Sequence, residues 1–174
     1  MTQRTLRQER LPLPIAPRGG AIGTLVTLSA TGLPPSSTLF IAFANLQNYQ
    51  LLQRVVTDEN GSFSTTQVVP PWAVVHGAHY FFASFADEIP LAFSYAFHVT
   101  SGGGAARVQG AIGSRTEGCV DLRTAGDILY HLVGEIGERK PGDRVAVIGT
   151  IADAAACGGT GIVIAATEVA PLLD

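Results

Sequence analysis

Charge is scarce in this chain. Only 14% of its 174 residues are Asp, Glu, Lys or Arg, against a usual ~25%. The few charges are unevenly spread. Residues 1–20 carry Arg4, Arg7, Arg10 and Arg18 against Glu9, while the rest of the chain is mildly acidic and the whole nets -3. An acidic body repels phosphate backbones, so no nucleic-acid partner is expected. Long apolar runs are missing as well: no stretch is long enough for a membrane-spanning helix. The first ten residues are basic, but no apolar run follows them, so they do not read as a secretory leader. Either the protein stays inside the cell or its leader is not part of this sequence.

Cysteine is limited to Cys119 and Cys157. There is no CxxC pair, and His131 has no partner at ligand spacing, so no zinc motif is present. No nucleophile stands in recognisable relation to a base. No catalytic residue, metal or cofactor is expected. Asp58-Glu59 and Asp87-Glu88 are paired acids, but both pairs sit in turn-like segments where acids normally lie. His76-Gly-Ala-His79 would need a helix to bring its rings to one side, and Gly77 and the strand pattern that follows oppose that. His98 and His131 fall in strand patterns, as exposed or core-edge side chains. Gly102-Gly-Gly104 and Gly158-Gly-Thr-Gly161 do not run from a strand into a helix, so they are a linker and a turn rather than phosphate cradles.

What is present is apolar and finely punctuated. Hydrophobic residues make up 47%, and 20 glycines and 10 prolines divide them into short runs, a pattern of strands and tight turns. Strands are expected at 24–29, 38–44, 51–57, 62–69, 79–85 and 93–99, the last with Phe93, Tyr95, Phe97 and Val99 on one side. Asn60-Gly61 closes a hairpin. A second set is expected at 107–112, 118–123, 127–133, 144–151 and 161–167. Its anchor is Lys140 to Thr150, where Pro141-Gly142 turns the chain into the run Val145 to Ile148. Leu11-Pro-Leu-Pro-Ile15 alternates proline with apolar residues and is therefore extended. Six strands spaced by turns suit an antiparallel sandwich, and five in a short span suit a small Greek-key barrel.

Two resemblances accompany that pattern. Gly23-Thr-Leu-Val-Thr-Leu-Ser-Ala-Thr-Gly-Leu-Pro-Pro-Ser-Ser37, Thr57 to Thr66, Val69-Pro-Pro-Trp-Ala73 and Ala92 to Val99 resemble landmarks of bacterial immunoglobulin-like domains. Glu117-Gly-Cys119, Tyr130-His-Leu-Val-Gly134, Gly142 to Gly149 and Cys157 are similar to an uncharacterised bacterial OB-like family with paired cysteines. Both imply a fold and neither brings a ligand. The sequence thus predicts an all-β protein: an extended arm over 1–20, an immunoglobulin-like sandwich over 21–100, a glycine-rich linker over 101–106 and an OB-like barrel over 107–174.

Cys119 and Cys157 read as a disulfide closing a loop of about 40 residues, worth roughly 4 kcal/mol by chain entropy. Two free buried thiols in a cytoplasmic protein are the other reading. An OB-like barrel that binds nucleic acid needs a basic groove and stacking rings, and this one is acidic with Tyr130 as its lone aromatic. Tyr49 and Trp72 fall in loop-like segments and are the candidate partner contacts. The expected function is that of a non-enzymatic structural or interaction protein, extracellular or in the cell envelope. In its sharper form it is a subunit of a homopolymeric assembly or filament. Its partners would be itself or another envelope protein, joined through Leu11, Leu13 and Ile15 of the arm. The alternative is a monomeric glycan- or peptide-binding module using the barrel face or the aromatic loops.

Overall fold

The computed structural model describes residues 11–86 and 89–173. They form an all-β protein with two bodies. The first body is built from β1 (Leu11–Pro12), β2 (Ile15–Ala16), β3 (Gly19–Gly20), β4 (Leu25–Ala30), β5 (Thr38–Ala44), β6 (Tyr49–Val56), β7 (Phe63–Val68), β8 (Ala78–Ser84), β9 (Pro90–Phe93) and β10 (Phe97–Val99). A seven-stranded sheet holds β1, β3, β5, β6, β8, β9 and β10, and a three-stranded sheet runs β2-β4-β7. Alternation in the sequence sets the inner faces. Leu39, Ile41 and Phe43 of β5 and Phe81 and Ala83 of β8 meet Val26, Leu28 and Ala30 of β4 in one buried core. Where β6 and β7 leave the sandwich open, a polar clasp closes it. Gln53 Nε2 donates to Thr66 O (2.7 Å) and Gln67 Oε1 (2.9 Å), and Thr65 donates to Gln53 Oε1 (3.0 Å).

The segment expected to be an arm is, where described, part of this body. Leu11 and Pro12 pair in parallel with β9, Ile15 and Ala16 pair with β4, and Gly19 and Gly20 pair with β10. Pro14 lies where the chain crosses from one sheet to the other, a place for a residue without an N–H. Leu13 is 1% exposed and Ile15 7%. Both belong to the core, and Leu11 packs against it. Apolar residues between prolines were available for a neighbour's sheet edge, but their own two sheets take them. Residues 1–10 lie outside the described residues.

The strand expected over 93–99 is interrupted. Phe93 pairs with Phe82 and Phe97 with His79, so Ser94, Tyr95 and Ala96 oppose only Tyr80 and Phe81. One extra residue changes the side-chain phase. Phe97 and Val99 point into the core, whereas Tyr95 is 52% exposed. Ser94 fills the gap, its hydroxyl accepting from Phe81 N (2.9 Å) and donating to Tyr95 O (2.8 Å).

The second body is β11 (Ala105–Thr116), β12 (Cys119–Arg123), β13 (Leu129–Gly134), β14 (Arg144–Ala152), a 3-10 turn at Ala154–Cys157 and β15 (Ile162–Pro171). They close a barrel in the order β11-β12-β13-β15-β14, with β13 and β15 parallel. Its interior is mainly aliphatic (Val108, Leu122, Leu132, Val147, Ile164), with Tyr130 the one ring. Ala105 and Ala106 are already strand. What precedes them is a tight turn, Gly104 N donating to Ser101 O (2.9 Å) and Ser101 N to Ala105 O (3.0 Å). Among the described residues no helix is long and apolar enough to cross a membrane.

Candidate functional site

The outer face of the seven-stranded sheet organises the rest. Because 79, 81 and 83 point inward on β8, Ala78, Tyr80 and Phe82 point outward. Register places Phe40 and Ala42 of β5, Tyr49 and Leu51 of β6 and Phe93 of β9 beside them. The barrel covers one end of this face. There His98 of β10 meets Tyr130: the His98 Nδ1 and the Tyr130 hydroxyl share a hydrogen bond of 2.8 Å with rings edge to face. His98 is 0% exposed, not at the edge of the core as its strand pattern suggested. Burial, then the His76 and His79 rings, depresses its pKa from 6.5 to about 4. Burial likewise raises the Tyr130 hydroxyl, so the pair is neutral. Its Nε2 is buried without a partner, as is His76 Nδ1, the two rings lying 6.2 Å apart.

Arg18 is the second anchor. Its guanidinium lies 4.9 Å over the Tyr95 ring and donates to the carbonyls of Gly159 and Thr160 on the barrel, the latter at 3.2 Å. Gly19 is the third. A Cβ there would fall 2.5 Å from Ile151 Cγ1, so only glycine lets β3 approach the barrel this closely. These contacts were hidden from the sequence, because each joins residues more than thirty positions apart.

Among the described residues no strand packs over the other end of the same face. Phe82 lies 5.7 Å from Phe93 and 6.5 Å from Tyr49, ring centre to ring centre. Ala42 beneath them is fully buried, while Tyr49 is 54% and Leu51 38% exposed. β6 borders this area and, among the described strands, pairs with β5. Tyr49 and Trp72, named together from sequence, are on opposite faces. Trp72 packs edge-on to Phe43 of the core (5.4 Å) and donates its indole N–H to Gln50 Oε1 (2.7 Å).

The other expected residues resolve as follows. Cys119 and Cys157 form a disulfide, 38 positions apart, which ties the 3-10 turn to the start of β12. Beside it, His131 Nδ1 donates to Asp121 Oδ1 (2.9 Å), and Ser114 donates to the other carboxylate oxygen (3.1 Å). Sequence spacing did not reveal this cross-strand pair. It has the form of an oriented base. However, His131 Nε2 is buried without a partner, and a Cβ at Gly161 would fall 2.7 Å from it. His79 is spent on backbone: Nε2 accepts from Val74 N (3.1 Å) and Nδ1 donates to Gly77 O (3.2 Å). Asp58 braces its turn by accepting from Asn60 N and Ser62 N. Asp87 and Glu88 lie outside the described residues. Among the described residues no group of three or more His, Cys, Asp or Glu is placed to hold a metal ion.

Between the covered and open ends lies a cleft of about 410 Å³, walled by Tyr80 and Tyr95 on one side and by Arg123, Asp127, Ile128 and Ile162 of the barrel on the other. No protein-family model, no curated protein and no solved structure matches this chain.

Proposed function

We propose that this chain is a non-enzymatic structural protein of an oxidising compartment outside the cytoplasm, associating with copies of itself through the open end of the seven-stranded sheet. The observation that carries this reading is the aromatic outer face. An antiparallel sheet facing water normally alternates to polar residues, and here it alternates to Phe40, Tyr49, Leu51, Phe82 and Phe93. Such a surface is a contact surface rather than a solvated one. The other end of the same face already packs against a β body, the chain's own barrel, and the open end continues that interface. Arg54 is the lone charge that β5, β6 and β8 contribute to this face, so two copies meet with little like-charge repulsion.

The disulfide supports the compartment. The resemblance of the first body to immunoglobulin-like domains belongs to the same reading, since such domains serve as spacers, adhesins and assembly modules. The non-catalytic part rests on engaged groups: both His79 nitrogens are bonded to backbone, and the free nitrogen of His131 is closed off beside Gly161. The joint is not made by Leu11, Leu13 and Ile15, which their own core consumes. Sedimentation velocity over a wide concentration range tests the proposal. Mass-action growth to dimers or larger, reversed by Leu51→Lys, is expected; a monomer at every concentration overturns it.

A further inference from the structure

We infer that the cleft between the two bodies binds a neutral pyranoside, one or two sugar rings long. Its volume of about 410 Å³ falls within the range of about 300–1,000 Å³ usual for small-molecule sites, which favour the junction of two bodies. Its walls carry the two kinds of group that a sugar ring needs. The axial C–H face of a pyranose is apolar and packs on an aromatic ring. Tyr95 offers such a ring at 52% exposure, turned out of the core by the extra residue in its strand. Tyr80, Ala96, Ile128 and Ile162 supply apolar wall around it. Burial raises the pKa of Tyr80, so its hydroxyl keeps its proton and remains a hydrogen-bond donor.

The equatorial hydroxyls of a sugar both donate and accept. Arg123 and Asp127, paired at 3.0 Å, present a fork of donors beside a carboxylate acceptor, the complement of two adjacent hydroxyls. The turn fixes the Asp127 backbone, and its carboxylate side chain stands 84% exposed at the cleft mouth. Asp127 stands at φ 60°, its N–H donates to Thr124 O (3.0 Å), and Thr124 Oγ1 accepts from Ile128 N (3.2 Å). The charges of Arg123 and Asp127 cancel, and the Arg18 guanidinium beside them is engaged by the Tyr95 ring and the carbonyls of Gly159 and Thr160. A peptide would instead add to a strand edge such as β6, not enter a cleft lined by side chains.

The cleft is ready before any ligand arrives. Tyr130 with His98, and Arg18 with the carbonyls of Gly159 and Thr160, hold its walls together, so no entropy is spent on bringing the two bodies together on binding. Arg18 also sits against Tyr95 and orients the ring.

The test is an NMR titration of the isotope-labelled full chain with methyl β-glucoside, methyl β-galactoside, cellobiose and methyl β-glucuronide. The expected result is amide shifts at Tyr80, Tyr95, Arg123 and Asp127 with at least one neutral glycoside. Tyr95→Ala should weaken the binding roughly tenfold, the scale of one lost aromatic contact, and Tyr95→Phe should preserve it. Asp127→Asn, which tolerates the same turn, should weaken it without touching the fold. Three results would each overturn the inference: no shift with any neutral sugar, binding of the glucuronide alone, or shifts that survive both Tyr95→Ala and Asp127→Asn. Leu51→Lys leaves this titration unchanged, so its outcome is separate from that of the self-association test.

Discussion

The sandwich and the barrel solve the same problem in different ways. The barrel has closed on itself, so it has no strand edge to protect. Its core is small and aliphatic, and a covalent staple supports it. The sandwich has a larger, aromatic core and no staple. It keeps one sheet with an exposed edge at β6, and its outer face is apolar where the other sheet's is not. On the three-stranded sheet the outward positions are mainly hydroxylic (Thr27, Ser29, Ser64, Thr66), with Leu25 and Val68 paired at one end. On the seven-stranded sheet they are aromatic. The difference teaches that two β bodies of one chain can handle their edges and outer faces differently: the barrel closes its ring of strands, and the sandwich keeps an apolar outer face.

That contrast can be broken most forcefully at the staple. Reduction, or the double change Cys119→Ser with Cys157→Ser, should lower barrel stability by about 4 kcal/mol, the chain entropy of a loop this long. Urea unfolding followed by NMR signals of each body should show the loss on barrel signals first. Loss shared equally by both would mean that they unfold as one unit.

The seam should respond to acid. His98 titrates at 6.5 in the unfolded chain and at about 4 in the folded one, so the unfolded state binds the extra proton between those values. Stability is therefore full above about pH 6.5 and falls as pH drops toward 4, by up to roughly 3 kcal/mol. Burial lowers His79 as well, with the same sign. Denaturation midpoints at neutral pH and near pH 5 measure the drop, and His98→Gln should remove most of it. An unchanged slope in that variant would place the acid sensitivity elsewhere.

The outer faces separate next. Leu51→Lys should weaken self-association at least tenfold, roughly the loss of one buried aliphatic contact. Val68→Lys, on the other sheet, should do nothing in the same sedimentation experiment. The smallest effect is expected at the clasp. Gln53→Ala removes three hydrogen bonds between the sheets, yet water can reach their partners, so about 1 kcal/mol is lost. A thermal melt that separates the two transitions should report it in the sandwich alone.

Much of the fold could be read from residue order. Strand β5 coincides with the expected 38–44, and the barrel strands fall where Gly142 to Gly149 and its neighbours suggested, because local alternation and turn chemistry fix them. The disulfide could be read because two cysteines in one small body have few other uses. The misses share a cause. Leu11, Leu13 and Ile15 read as an arm since nothing local says which sheet will receive them. Tyr95 was placed with Phe97 because a bulge leaves no mark on a two-residue period. The His98–Tyr130 bond, the Arg18 anchor and the Asp121–His131 pair join residues that are neighbours only across strands or bodies, and spacing along the chain carries no trace of them.

The extra residue among Ser94, Tyr95 and Ala96 therefore acts as a phase shifter. Across it, β9 turns Phe93 toward the solvent side and β10 turns Phe97 toward the interior. Deleting a single residue there would restore strict alternation, and either β9 or β10 would have to rotate. Either Phe97 and Val99 would leave the core, or Phe93 would leave the aromatic face. Chain length at this point therefore sets which side chains reach the core and which reach the aromatic face.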